Sequence, residues 1–512
     1  MSEKMTFSQS PVWELQKKYY QQINIADSWG KEDIPFFATS NPFIANYYAQ
    51  LIHSFIQDLK AANLSTSINI VETGVGHGRF SFLLLSALSE EFGTFREQIT
   101  FKYIMTDVSK KNINTWKQHP KLQSFIKQGI LDFAFMDVVA LNEPILEHRG
   151  IALSDAIKDQ PLILVSNFML CALPYDLFRV ENKKLQHCQM EISKVNTTDN
   201  TENGDPKAIL KNMHFDFKYQ TIQPDFYNDP KLNQVLAEYP KQISQGTFTF
   251  PLHVIKLFDY FHKYCSDILW LITDEAIVKR SQLEKNQAIV GKIKNGTFSN
   301  QVNLHALKLY TQSEEMALYH PLNPNKNTDT YILLSKQKSW PNTLTFFSQQ
   351  GNQFRAKSYF QLISSLQQSQ TKLDIDGLLA LFELGNNDPL IIRLFYQDLL
   401  ELSLNTKGFR NRYLQKALIN CWHNYYAIGE MFDMSFAIGK LLRRLGNPAE
   451  AVSILTAGLK QDSHNYKAWY ILGKSYQSLN SLEQAEQCFK EVLNLNPDHK
   501  YAQKRLMQSQ HS

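Results

Sequence analysis

Apolar residues recur at helical spacing through NPFIANYYAQLIHSFIQDLKAAN, at Ile44, Tyr47, Tyr48, Leu51, Phe55 and Leu59, so residues 1–65 read mostly as helix. Strands and helices then alternate. INIVET reads as a strand, RFSFLLLSALSEEFG as a helix ending near Gly93, and FKYIMTDVS as a strand. KKNINTWKQHPKLQSFI reads as a helix with a break near Pro120, and LDFAFMDVV as a further strand. PLILVSNFM is bare of charge and apolar on both faces, as a central parallel strand is. The alternation predicts an α/β sheet with helices on both sides. KLQHCQMEISKV and MHFDFKYQTI flank the polar NTTDNTENGDP and predict a hairpin insertion near residues 181–221 with a flexible tip. DILWLITDEA resumes the sheet pattern, and VNLHALKLY and TYILLSKQ are expected to close it.

From about residue 350 the strand signals fade and the rest reads as helix. Near the end, Trp469, Leu472, Gly473, Tyr476, Ala485, Phe489 and Pro497 stand at the spacing of a tetratricopeptide repeat. One period of 34 residues earlier lie Ile438, Gly439, Leu442, Ala451 and Leu455. Small residues at these positions let paired helices approach, and large ones fill the gap between them. The helices of residues 371–432 keep no clear period and are either degenerate repeats or a linking bundle. The expected division is a helical segment over 1–65, an α/β domain over 66–349, a helical linking region over 350–430 and repeats over 431–512.

A chain of 512 residues is too long for one hydrophobic core, which supports more than one domain. The 53 basic and 49 acidic residues nearly balance, so nothing points to nucleic acid. Cys171, Cys188, Cys265, Cys421 and Cys488 are scattered and form no CxxC pair, which suggests neither a disulfide framework nor a zinc site. The first 30 residues lack the basic-then-apolar pattern of a signal peptide. PLILVSNFMLCALP, the most apolar run, is shorter than the roughly 20 residues that a bilayer requires. The expectation is a cytoplasmic protein with no membrane partner.

VETGVGHGRF places Gly74, Gly76 and Gly78 after a strand and before a helix, with Glu72 just ahead. A strand, a glycine turn and a helix N-terminus form a nucleotide-type site. A dinucleotide site needs G-x-G-x-x-G, and residue 79 is Arg79, so a dehydrogenase ranks third among the readings. A plain glycine turn is the bland alternative. The spacing acid-x-G-x-G-x-G resembles motif I of the class I S-adenosylmethionine (SAM) methyltransferases. That resemblance implies a Rossmann-like domain with a mostly parallel seven-stranded sheet, and SAM as cofactor. It implies that the glycines admit the amino-acid end of SAM and that Glu72 contacts its ammonium. Asp107 would hold the ribose hydroxyls, and Asp137 would lie against the adenine amino group. The plain alternatives are a helix cap for Asp107 and turn chemistry for Asp137.

Within that class the chain resembles the MidA-like methyltransferases, bacterial relatives of the mitochondrial complex I assembly arginine methyltransferase. DIPFFATSNPFIANYYAQLI is similar to the family segment F-x-T-S-P-E-I-S, with Thr39, Ser40 and a displaced Pro42. YIMTDVS resembles its V-E-V-S strand. LVSNFMLCALPYDLFRV resembles its S/A-N-E-x-x-D-x-L-P-V motif, with Asn167, Leu173 and Pro174 kept. The resemblance covers roughly residues 35–340 and leaves the repeats outside.

Two family acids are missing, and Phe168 and Cys171 stand in their places. A guanidinium acceptor needs carboxylates to orient it and offset its charge, so an arginine substrate is in doubt. Asp176, Asp274 or Glu275 could supply a carboxylate from nearby strand ends. Asn167, at the end of the central strand, is the candidate for orienting the acceptor, or else a turn residue. His305 is a weaker candidate base, read as a histidine within a strand. Cys171 is no nucleophile in an apolar setting. Two functions follow. One is a SAM-dependent methyltransferase whose repeats dock a protein substrate. The other is an inactive methyltransferase-like domain in a repeat-based interaction scaffold. The repeats predict a protein or peptide partner, with self-association as the alternative.

Overall fold

The computed structural model describes residues 5–509 except 33, 35, 66, 95–98, 195–205, 212, 224, 285–297, 323–327, 351–354 and 370–371. The expected hairpin tip falls within 195–205, outside the described residues.

Ser10 starts the first helix, α1 (Pro11–Gln22): its hydroxyl accepts from Val12 N, and Pro11 occupies the first turn, where a missing N–H costs nothing. One π-helical turn, Ala26–Gly30, precedes α2 (Pro42–Ala61). The strands of the main sheet begin with β1 (Ser67–Thr73), β2 (Thr100–Asp107), β3 (Leu131–Phe135) and β4 (Leu162–Asn167). Helix α3 (Arg79–Thr94) follows β1, and α4 (Lys110–Gln118), capped by the Ser109 hydroxyl, follows β2. The helical pattern after α4 breaks at Pro120–Leu122, where proline starts a short 3₁₀ turn.

Strands β5 (Asp176–Glu181), β6 (Lys184–Lys194), β7 (Met213–Thr221) and β8 (Gln245–Phe250) then build a second, antiparallel sheet, joined at β6 by Met5–Thr6. The β6–β7 hairpin was legible in the sequence. Its partners β5 and β8 were not, although DLFRV and TFTF alternate as strands do. The chain returns to the main sheet with β9 (Ile268–Asp274), β10 (Met316–Tyr319) and β11 (Asp329–Ser335).

The main sheet has seven strands in the order β10–β11–β9–β4–β1–β2–β3. The pairs from β9 to β3 are parallel, and β11 is antiparallel to both neighbours. The order reverses between β1 and β4, which opens a crevice at their carboxyl ends. Every residue of β9 is buried, and so are Leu162–Ser166 of β4, because helices cover both faces. One apolar core, including Val71, Leu164, Trp270, Phe178 and Phe248, spans both sheets.

VNLHALKLY does not close the sheet. Only Val302–Asn303 is extended, paired with Ala276–Ile277, and Leu304–Thr311 is a helix. Asn303 caps it by accepting from Ala306 N, so the capping signal outweighed the strand reading.

The chain forms two compact units, residues 1–39 with 47–357, and residues 40–46 with 358–512. In the second, Phe43 stacks on Tyr359 with ring centroids 5.5 Å apart. Its last helices are α5 (Met434–Arg444), α6 (Pro448–Leu459), α7 (Tyr466–Ser478), α8 (Leu482–Leu495) and α9 (Lys500–Ser509). Successive helices pack on one another, and α5 also packs on α7. A Cβ on Gly439 would lie 2.5 Å from Leu455 Cγ, and one on Gly473 would lie 2.7 Å from Phe489 Cε1. The same close approach, one period later, is the physical content of the repeat. No described helix is long and apolar enough to cross a membrane.

Candidate functional site

The glycine turn sits at the carboxyl end of β1, beside the switch point. Gly74, Gly76 and Gly78 have φ of +63°, +66° and +86°, a region that costs other residues roughly 1–2 kcal/mol. Close approach adds to this. A Cβ on Gly74 would meet Met169 Cγ at 2.2 Å, and one on Gly76 would meet the Trp29 ring at 3.2 Å. Trp29 and Phe36 both pack edge-on against His77, so the segment between α1 and α2 walls the turn. Trp116 Nε1 donates to Gly76 O at 3.1 Å and holds the turn from α4.

The carboxylates lie where the strands end. Glu72 is buried and accepts from Ser81 Oγ at 2.5 Å and Tyr103 OH at 2.6 Å. Burial pushes it up to about 7. Asp107 Oδ2 accepts from Gly76 N at 2.8 Å and Oδ1 from Ser109 N at 2.8 Å, so this acid ties the turn to β2. Burial pushes it up to about 6. Among the described residues neither acid is ion-paired. Asp137 differs: Lys17 of α1 pairs with it at 2.6 Å. Burial opposes its charge, but the Lys17 bond helps hold it below the usual carboxylate range. Gln16 of the same helix donates to Ala172 O and accepts from Phe298 N, so α1 is fastened to the loop after β4. Sequence reasoning missed Lys17 and Trp29. The Ser10–Pro11 start signal could have located α1, but nothing in the chain indicated what it would cover.

On the acceptor side, Asn167 ends β4. Its Nδ2 donates to Thr39 O at 2.8 Å, and among the described residues its buried Oδ1 has no hydrogen-bond partner. Phe168 is half-buried with φ of +55°, and its N–H donates to Thr273 O at 2.7 Å. Cys171 N donates to Asp274 Oδ2 at 3.1 Å, which places the carboxylate of β9 beside Cys171. Burial and then Asp274 push the Cys171 thiol well above its usual value. Burial pushes Asp274 up to about 7. Asp176 bonds to Tyr227 at 2.6 Å and to Ser8, on the side of the second sheet. His305, on a helix and not in a strand, faces Tyr239 OH at 3.5 Å, and burial lowers it to about 4. Its described hydrogen-bond and ring partner is Tyr239, so the structure does not bring it to the glycine turn.

These residues suit a cationic nucleoside. Glu72 and Asp107 are two buried acids that a ligand's positive charge would favour in ionised form, and Asn167 Oδ1 lacks a donor.

Residues 44–285 match the family model described as "Putative S-adenosyl-L-methionine-dependent methyltransferase", and residues 442–508 match a tetratricopeptide-repeat model. A solved protein from Burkholderia thailandensis, described as a "likely methyl transferase" bound to S-adenosyl-homocysteine, is 13% identical. It aligns over 62% of this chain and 73% of that chain, with a TM-score of 0.41. A native structure of an uncharacterised protein from the same organism is also 13% identical, over 62% and 72%, with a TM-score of 0.38. MamA aligns with 31% of this chain and 78% of its own at 13% identity and a TM-score of 0.19. No curated protein matches. Residues 44–285 are thus similar to a family of putative SAM-dependent methyltransferases, and residues 442–508 to tetratricopeptide repeats.

Proposed function

We propose that the chain transfers a methyl group from SAM to an acceptor on a partner protein docked by the repeats. The carrying observation is the glycine turn bonded to Asp107 and facing the carboxyl ends of β1 and β4. When bound, SAM supplies an electrophilic methyl on a sulfonium. Such a reaction needs alignment and exclusion of water more than covalent help. Asp107, held by Gly76 and Ser109 and approached by Asn112 and Val108, would turn its carboxylate to the ribose hydroxyls. Glu72, fixed by Ser81 and Tyr103, would offset the charge of the amino-acid end. Asp137 would reach the adenine edge while Lys17 holds it. Trp29 and Phe36 would keep water from the turn. Asn167 Oδ1 would accept an N–H of the acceptor and leave its lone pair toward the methyl. Asn167→Ala is therefore expected to lower methyl transfer while SAM affinity stays within about two-fold. Equal losses of both would remove Asn167 from this role.

The alternative is an inactive domain in an interaction scaffold. It is favoured by what Phe168 and Cys171 present, a half-buried ring and a protonated thiol in place of two carboxylates. The MidA-like reading rests on the strand-end Asn167; the two family acids are replaced by Phe168 and Cys171, and Asp274 is a carboxylate that lies beside Cys171. Titration with SAM followed by a methylation assay separates the readings, since the scaffold can bind SAM but cannot turn it over.

A further inference from the structure

Charge is segregated within the repeats. The helices that open successive hairpins, α5, α7 and α9, contain Lys440, Arg443, Arg444, Lys467, Lys474, Lys500, Lys504 and Arg505, and no Asp or Glu. The acids lie on the second helices, Glu450 on α6 and Glu483, Glu486 and Glu491 on α8. Lys440 and Lys474 stand one 34-residue period apart, so the cations share a repeat face. Their ammonium groups lie over rings: Lys440 Nζ is 5.6 Å from the Phe436 centroid, Lys474 Nζ 5.6 Å from that of Tyr470 and Lys467 Nζ 5.9 Å from that of Tyr466.

Six of these cations crowd one another. Lys440 faces Arg444 and Lys467, and Lys474 faces Arg443, Arg444 and Arg505. Burial first, and then these neighbours, lower Lys440, Arg443 and Lys474 below their usual values. Among the described residues none of the six is in an ion pair. Arg444 Nη1 donates to Leu400 O, and Arg443 Nε is buried with no hydrogen bond among the described residues. Asp433, which caps α5, is spent on Phe436 N, Ser435 Oγ and Asn465 Nδ2. Like charges gathered without counter-charges repel, and the arrangement gains when an anion neutralises it.

We infer that the face formed by the first helices of the repeats binds an acidic, Asp/Glu-rich segment of a partner protein. The face combines cations for carboxylates with aromatic surface for backbone and stems. Nucleic acid is disfavoured by a chain whose charges nearly balance and by the peptide-docking habit of such arrays. The inference rests on the reading of this segment as a docking site and is independent of methyl transfer.

The test is fluorescence anisotropy on the full chain with a labelled decaglutamate peptide, a Ser-Gly decapeptide and a single-stranded DNA decamer. Saturable binding of decaglutamate that weakens with salt is expected. Arg443→Gln, and separately Lys440→Gln with Lys474→Gln, should each weaken it about ten-fold or more. Lys490→Gln on α8 should leave it unchanged. Thermal melts and a SAM titration on each variant confirm that the fold and cofactor site are intact. No saturation at about 1 mM decaglutamate overturns the inference. So does equal binding of the Ser-Gly peptide, tighter binding of DNA, or indifference to both sets of substitutions. SAM binding that fails while decaglutamate binds would sink the methyltransferase reading alone.

Discussion

At the residue scale, the buried acids make the protein sensitive to pH. Glu72 is raised from an ordinary 4.5 to about 7 by burial, so its protonated form is the one the fold prefers. Its contribution to stability is complete below about 4.5 and is lost as pH rises through 7. Asp107, raised to about 6, acts in the same direction. The ligand-free protein should therefore melt lower at pH 8 than at pH 5.5, and Glu72→Gln should flatten that slope. A slope of opposite sign in the wild type would mean that another group dominates. Phe168 offers a second check. Its left-handed backbone carries strain that glycine relieves, so Phe168→Gly should be more stable than Phe168→Ala by about 1 kcal/mol. Phe168→Glu should be less stable than Phe168→Leu, because a carboxylate set against the core is costly. Urea melts of the four variants decide both comparisons. Glu72, the glycines and Asp107 were legible because the strand-end motif fixes which residues meet there. Lys17 and Trp29 were not, because they reach the site through tertiary packing.

At the scale of elements, the repeat is a packing constraint more than a sequence pattern. Alanine at Gly439 or Gly473 improves helix propensity by up to about 1 kcal/mol. It also drives a methyl into Leu455 or Phe489. The clash should win, with each substitution costing about 1–3 kcal/mol. Melting temperatures unchanged or raised would show that the helices can separate without loss. The period identified these helices because the small residues must recur wherever backbones touch. Strand VNLHALKLY was misread for the converse reason: nine residues with few polar positions fit either period, and only the Asn303 cap and the packing of Leu304 and Leu307 settle it as helix. β5 and β8 escaped notice because they pair with each other across more than 60 residues of chain, a contact that no local pattern reveals.

At the scale of the molecule, a mostly parallel seven-stranded sheet was implied by the family resemblance, but the strand order was not legible in local pattern, since order depends on which distant segments pair. The division of the chain is a further case. A boundary near 350 follows from the change in periodicity, yet residues 40–46 group with the later unit. A fragment of residues 1–357 should therefore bind SAM but melt below the whole chain, having lost, among other contacts, the Phe43–Tyr359 stack worth about 0.5–1.5 kcal/mol. Equal melting temperatures would show that residues 40–46 draw nothing from that unit.

The most direct measurement is isothermal titration of the whole chain with SAM and with S-adenosyl-homocysteine, repeated on Asp107→Ala. Saturable binding of both is predicted, with the substitution weakening it by about 1.5–3 kcal/mol, the range for a charged hydrogen bond. No heat and no thermal shift with millimolar SAM, or an Asp107→Ala variant that binds as the wild type does, would contradict the assignment of this crevice to the cofactor.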